Sequence, residues 1–210
     1  MTAHPANLHL ASSKSHTVQL DDGPQGVILQ GKYARLRPLA QNDYGYFYDL
    51  SLSAENNARW RYRGTTPSPE RFVTDLWSGV QAQFVIETPE PRQRAGLVVA
   101  YNADMANGTV YLAALVDNAY HRKVWPMEGI LMFVDYLLQN WNFRKVYAET
   151  PEFSASQFAS GVGTFFEEEG RLTQHQFFQG KYWDYITYAL TRERWERHGK
   201  AALKQFSDMA

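Results

Sequence analysis

The sequence predicts an α/β (α+β) fold: a mixed, mostly antiparallel sheet with flanking helices and one parallel pair of strands at its centre. Three observations lead there. Strand-like and helix-like runs follow one another along the chain with no internal repeat. The run VYLAALV, 110–116, is apolar on both faces, as a central strand covered by two layers must be. It leads into the strongest helical stripe of the chain and then into RKVYAET, 144–150, and a strand that returns after a helical crossover runs parallel to its predecessor.

Taken in order, residues 1 to about 30 are polar and close on the turn-rich DDGPQG, which suits an N-terminal arm or extension. YARLRPL, 33–39, alternates as a first strand does, and NDYGYFYDLSL offers Asn42 or Asp43 as a helix cap, with Tyr44, Phe47 and Tyr48 at helical spacing. In TPSPERFVTDLWSGV, Ser68 is placed to cap and Pro69 to begin a helix with the stripe Phe72, Val73, Leu76, Trp77 and Val80. QFVIE and AGLVVAY read as a strand pair joined by TPEPRQR, whose prolines keep that loop out of the sheet. The helix from about Pro126 puts Ile130, Phe133, Val134, Leu137, Leu138 and Trp141 on one face. SASQFASGVGTFFEE has Phe158, Val162 and Phe165 at helical spacing, which predicts a helix weakened by Gly161 and Gly163 at about 1 kcal/mol each. HQFFQGKYWDYITYAL reads as two strands across a Gln179–Gly180 turn, and TRERWERHGKAALKQF as a charged tail open to helix formation.

Composition removes whole classes of function. The 210 residues suffice for one buried core, and 21 basic against 22 acidic side chains leave no global field to gather nucleic acid or an anionic membrane. The absence of cysteine excludes disulfides, thiolate metal sites and cysteine nucleophiles. No segment is apolar for the roughly 20 residues that a spanning helix needs, and the first twenty residues lack the pattern of a secretory signal, so a cytoplasmic protein is expected. No G-x-S-x-G elbow, Walker loop, G-x-G-x-x-G or H-E-x-x-H occurs, and the histidines lack metal-ligand spacing, so no metal is expected.

The element order, together with FRKVYAET, FSASQF, FFEEEGRL and FQGKYWDYITYALTRERW, resembles the GCN5-related N-acetyltransferase (GNAT) family, in its branch that acetylates ribosomal-protein N-termini and spermidine. The last segment is the most specific, joining a turn glycine, an aromatic pair, an aspartate and an apolar strand that ends before an Arg-Glu-x-Trp segment. The resemblance divides the chain into an arm at 1–30, an acyltransferase domain at 31–195 and a charged tail at 196–210. It implies a GNAT fold with a splayed central strand pair, and acetyl-CoA as co-substrate. The thioester would meet backbone amides near Leu115 and Val116, and the pyrophosphate would rest on the loop and helix start that follow, His121, Arg122, Lys123, Val124, Trp125, Pro126 and Met127. Acceptors implied are a small-molecule amine or a peptide N-terminus, with room for a homodimer.

Two departures from the family pattern stand out. Val124 and Pro126 fill positions where the family loop has small residues, usually glycine, and proline removes an amide that could bind phosphate. His121, Arg122 and Lys123 could offset that loss by charge pairing. Where the family has an asparagine, a serine and a tyrosine that protonates the departing thiolate, this chain has Phe153, Ser156 and Ser160. Ser160, Tyr147 or water would then supply that proton.

Amide formation also needs a group to take the amine proton. Glu149, at the end of the parallel strand, and Asp117, just past the central strand, are the candidates by position. WRYRG, 60–64, is expected to cover the acceptor groove, with Trp60 and Tyr62 as walls. Two functions remain open from the residues: transfer of an acetyl or larger acyl group from CoA to a primary amine, and a catalytically degenerate binding module on the same fold.

Overall fold

The computed structural model describes residues 26, 29–54, 56–121, 123–159 and 161–208. Most of the expected arm at 1–30, together with Arg122 and Ser160, lies outside the described residues. Among the described residues eight strands form one sheet: β1 (Leu29–Gln30), β2 (Arg35–Pro38), β3 (Val80–Glu87), β4 (Arg94–Asp104), β5 (Thr109–Val116), β6 (Lys145–Pro151), β7 (Glu167–Phe178) and β8 (Lys181–Thr191). Their order is β1-β2-β3-β4-β5-β6-β8-β7, and β5–β6 is the parallel pair in an otherwise antiparallel sheet. The predicted fold class is the observed one.

Alternation along the strands sends side chains to two layers. Ile86, Val98, Ala100, Val110, Leu112 and Val146 face α3 (Val124–Asn140), whose Phe133, Val134, Leu137 and Leu138 are buried against them. On the other face Val85, Leu97, Val99 and Leu115 pack with Phe47 of α1 (Tyr44–Leu52) and with Phe72 and Leu76 of α2 (Pro69–Trp77). β5 therefore feeds both layers, which is why its sequence has no polar face. Gly129 of α3 lies so close to β3 that a Cβ there would sit 2.8 Å from Ile86 Cγ2.

Ser68 accepts from the Arg71 amide at 3.2 Å with Pro69 in the first helical position, as the sequence predicts. The stripe on α2 is narrower than expected: Trp77 is exposed and Val80 begins β3. Asp43 holds the start of α1 by accepting from the Ala40 amide at 2.8 Å, and it is fully buried beneath Arg37 and Arg94. Burial would raise its pKa, but hydrogen bonds and charge from Arg37, the Ala40 amide and Arg94 outweigh this and leave it below the ordinary carboxylate value. A depressed folded-state pKa adds stability above the unfolded value, about 3.9, that is lost as pH falls through the folded value. Asp43→Asn should therefore flatten the acid limb of a urea-unfolding pH series, and an unchanged limb would refute that assignment.

One expectation needs correction. The helix predicted over 154–168 does not form: Glu152–Phe158 is a 3-10 segment, turns follow, and β7 begins at Glu167. Gly163 adopts φ +85, a conformation that ends a helix, and Phe158 instead stacks on Tyr188 at 5.1 Å. The charged C-terminal segment, which the sequence left open to helix formation, is helical, running through α4 (Arg192–Arg194), a π-helical turn (Trp195–Gly199) and α5 (Lys200–Asp208). Trp195 is fully buried, and Ala202, Leu203 and Phe206 pack on the α3 layer. Arg192 donates to the carbonyls of Leu138, Trp141 and Phe143 at 2.7–2.9 Å, satisfying the C-terminal end of α3 and the turn after it. Arg192→Ala orphans these acceptors and should cost about 2 kcal/mol in denaturant unfolding. A loss under about 0.5 kcal/mol would mean water replaces the guanidinium. No helix among the described residues is long and apolar enough to cross a membrane.

Candidate active site

The two parallel strands pair only at Thr109↔Lys145, Val110↔Val146 and Tyr111↔Tyr147. Beyond that point β5 stays bound to β4 as far as Gly96↔Val116, and β6 stays bound to β8 as far as Pro151↔Tyr185. Each strand keeps its outer partner and loses its inner one, so a wedge opens in the middle of the sheet. Alternate backbone groups of 112–116 face that wedge without a strand to pair with. Leu115 and Val116 lie along its β5 wall. Leu115's side chain is buried in the α1/α2 layer, so only its backbone is on offer. Gly96 lets the β4 backbone approach there, since a Cβ would sit 2.6 Å from the Leu115 carbonyl oxygen.

The segment after β5 is held from several sides. Asp117 caps the 3-10 turn Asn118–Tyr120 by accepting from the Ala119 amide at 2.9 Å, and its other oxygen accepts from the Tyr46 hydroxyl at 2.6 Å. With both oxygens engaged Asp117 acts as an anchor of this loop, which weighs against it as a proton acceptor. Burial, followed by the hydrogen bond to Asp117 and its charge, pushes the Tyr46 phenol well up, so it remains a donor. Tyr120 donates to Gln93 at 2.5 Å and meets Trp125 edge-on at 5.6 Å. His121 follows the turn, and Lys123 is the N-cap of α3. Val124, Trp125 and Pro126 are the first three helical residues, so the proline removes one of the four amides that a helix start can present. Pro126 is buried, while Met127 is exposed. No acidic side chain occupies the first turn of α3, so the helix supplies no carboxylate of its own to the positive end of its dipole.

Across the wedge, β6 carries Tyr147 and Glu149 on the α1/α2 face. Tyr101, Tyr111 and Tyr147 sit side by side on three adjacent strands, ring centroids 5.7 and 5.3 Å apart. Glu149 lies opposite Thr187 of β8, from which it accepts a long hydrogen bond of 3.4 Å. Burial first, and then the Glu149 charge, raise the pKa values of Tyr101 and Tyr111, while Tyr185 is raised by burial and by Glu149 against the opposing effect of Arg63. These phenols stay neutral near pH 7 and form a weakly polar ring about one lightly bonded carboxylate.

The 56–64 segment covers this face. Trp60 is buried and Tyr62 half-buried, both packed in the α1/α2 layer, and Tyr62 lies 6.2 Å from Phe72. Trp60 Nε1, Tyr62 OH and the whole side-chain amide of Gln83 are buried with no hydrogen-bond partner among the described residues. Arg63 sits over the Tyr185 ring at 4.9 Å, at one side of a cleft of about 400 Å³ that reaches the β7–β8 hairpin. Gln176 ties that hairpin to the segment by donating to the Ala58 carbonyl at 2.7 Å. Ser156 is exposed on the 3-10 segment, beyond the end of β6.

Glu149 and Tyr147 thus lie on one floor beside the wedge lined by Leu115 and Val116, His121 and residues 123–127 lie at the wedge's outer end, and Trp60 and Tyr62 lie in the covering layer. Sequence reading missed Tyr101, Tyr111, Tyr185, Gln83 and Arg63. Strand parity carried the signal for the first two, but only the register makes them neighbours of Glu149.

No protein-family model matches the chain. The SPbeta prophage-derived uncharacterized N-acetyltransferase YokL of Bacillus subtilis (strain 168) is 29% identical over 105 residues, which is 50% of this chain and 59% of that protein. The match therefore spans under two thirds of the curated relative. Among solved structures, spermidine N-acetyltransferase from Vibrio cholerae in complex with CoA and spermine superposes with a TM-score of 0.67 at 19% identity, over 78% of this chain and 98% of that one. A GCN5-related N-acetyltransferase from Brucella melitensis gives 0.66 at 19% identity, over 89% and 96%. The fold is that of the GCN5-related N-acetyltransferases.

Proposed function

From a chain with the GNAT fold, we propose an acyl-CoA-dependent N-acyltransferase that moves an acetyl group from acetyl-CoA to a primary amine by direct attack on the thioester. The observation that carries this reading is the wedge between β5 and β6 with Glu149 at its side. Acetyl-CoA would lie in the wedge with its carbonyl against the unpaired amides of 112–116, which stabilise the tetrahedral oxyanion. The amine nitrogen forms the new C–N bond and Glu149 takes its proton. The C–S bond then breaks, and the thiolate takes a proton from Tyr147, Ser160 or water. Tyr101, Tyr111 and Tyr185 surround the incoming amine with ring faces and phenolic oxygens that accept from its N–H groups.

The acceptor belongs to the class of small-molecule amines or peptide N-termini. Arg61 and Arg63 add positive charge to the covering segment, which favours a single amino group over a polyamine. Thiol release from acetyl-CoA, measured against peptides, amino-acid amides and polyamines, tests the reading. Release with one amine class and a faster rate for single amines is expected, and no release with any amine would overturn it.

A second reading, a CoA-fold binding module without turnover, is favoured by one feature: Pro126 and the Tyr120–Trp125 contact occupy the helix start where a pyrophosphate would rest. CoA at a hundred times its dissociation constant stabilises a true binder by about 2.7 kcal/mol. Stabilisation without thiol release would favour the module.

A further inference from the structure

On the α1/α2 side a cleft of about 350 Å³ is lined by Arg37, Asn42, Glu87, Arg92 and Arg94. Beneath it the buried Asp43 accepts from both Nη atoms of Arg37, at 2.7 and 2.8 Å, and from Arg94 Nε at 2.8 Å. Glu87 accepts from Arg37 Nε at 2.7 Å and lies 3.9 Å from Arg35 Nε, which is buried and has no hydrogen-bond partner among the described residues. Among the described residues, three guanidinium groups therefore meet two carboxylates, and one positive charge is left over. Arg94 commits Nε to Asp43 and Nη2 to the Asn42 carbonyl at 3.3 Å, which leaves Nη1 without an acceptor among the described residues. Among the described residues Arg92 at the rim pairs only with Glu90, through Nε at 3.1 Å, and both partners are exposed, so that pair holds it weakly.

Surplus charge in a partly buried cleft, with fork-shaped guanidinium donors left over, suits an oxyanion rather than a neutral ligand. We propose that this cleft is a phosphate-binding site. It is separate from the acceptor floor, because Arg94 opens β4 and Tyr101 lies about 20 Å further along that extended strand. It is coupled to the donor loop instead. The Tyr46 hydroxyl contacts both the Arg94 carbonyl, at 2.9 Å, and Asp117, and its ring lies under the Arg94 guanidinium at 5.3 Å. Gln93, the next residue, accepts from Tyr120. A phosphate drawn against Arg94 would brace the segment 117–120 that leads into α3. The phosphate could be one carried by CoA or belong to a separate phosphorylated compound.

The test is calorimetric titration of inorganic phosphate, at constant ionic strength, into the full chain and into the Asn42→Ala/Arg92→Ala double variant, which leaves the buried Arg37–Asp43–Glu87 network intact. Saturable binding that weakens at least about tenfold in the variant is expected. No binding by the parent chain, or equal binding by both, would overturn the site. A second arm, which alone rests on the acyltransferase reading, compares CoA with 3′-dephospho-CoA. If the cleft holds the donor's 3′-phosphate, the variant weakens CoA and leaves dephospho-CoA unchanged. If it holds a separate phosphate compound, the variant loses phosphate and binds both forms of CoA as before.

Discussion

Glu149→Gln should lower turnover about a hundredfold while leaving CoA binding within about twofold, because a positioned proton acceptor contributes on the order of a hundredfold or more. The substitution keeps the size of the side chain and removes only its charge. Its one hydrogen bond among the described residues is the long contact from Thr187, so folding should be little affected. The expected signature is a fall in kcat and a change in the shape of the pH–rate profile. A variant with normal turnover and an unchanged profile would remove Glu149 from the mechanism and leave a water chain as the acceptor. Asp117 is the weaker alternative, since the Ala119 amide and Tyr46 already occupy its oxygens.

The contrast between those two carboxylates shows how far sequence reading reaches. Both were legible as strand-end acids, and spacing along the chain cannot separate them. Asp117 caps the turn through the Ala119 amide and is also held by a tyrosine 71 residues away, a contact decided by how α1 lies across the end of the sheet. The central strand, the crossover helix and the parallel pair were legible because burial on both faces and a 3.6-residue stripe leave direct marks on composition. The segment 152–166 was not, because Phe158, Val162 and Phe165 fit a helical period, while Gly163 and the stacking of Phe158 on Tyr188 favour turns. Helical periodicity there records aromatic packing on β8 rather than a helix. The tyrosine floor was hidden for a related reason: Tyr101, Tyr111 and Tyr147 come from three strands, and their adjacency exists only in the register.

Val124→Gly with Pro126→Ala should tighten CoA about tenfold to a hundredfold if the pyrophosphate rests on the start of α3. Proline at the third helical position withholds one amide, and a hydrogen bond from an amide to a charged phosphate is worth roughly 1.5 to 3 kcal/mol, which corresponds to that range. Glycine in place of Val124 removes the branched side chain that keeps a phosphate from the backbone. The gain is opposed by the helix propensity of glycine, about 1 kcal/mol, so stability should be followed by denaturant unfolding alongside affinity. Lys123, exposed at the N-cap, supplies the complementary arm: if its charge makes up for the missing amide, Lys123→Ala loosens CoA in the parent chain and matters less once Pro126 is replaced. Calorimetry resolves the cases. Tighter binding in the double variant with a diminished effect of Lys123→Ala places the phosphate at this helix start. Affinity unchanged by both substitutions would mean that the helix start closed by Trp125 and Tyr120 holds no phosphate, which favours the binding-module reading.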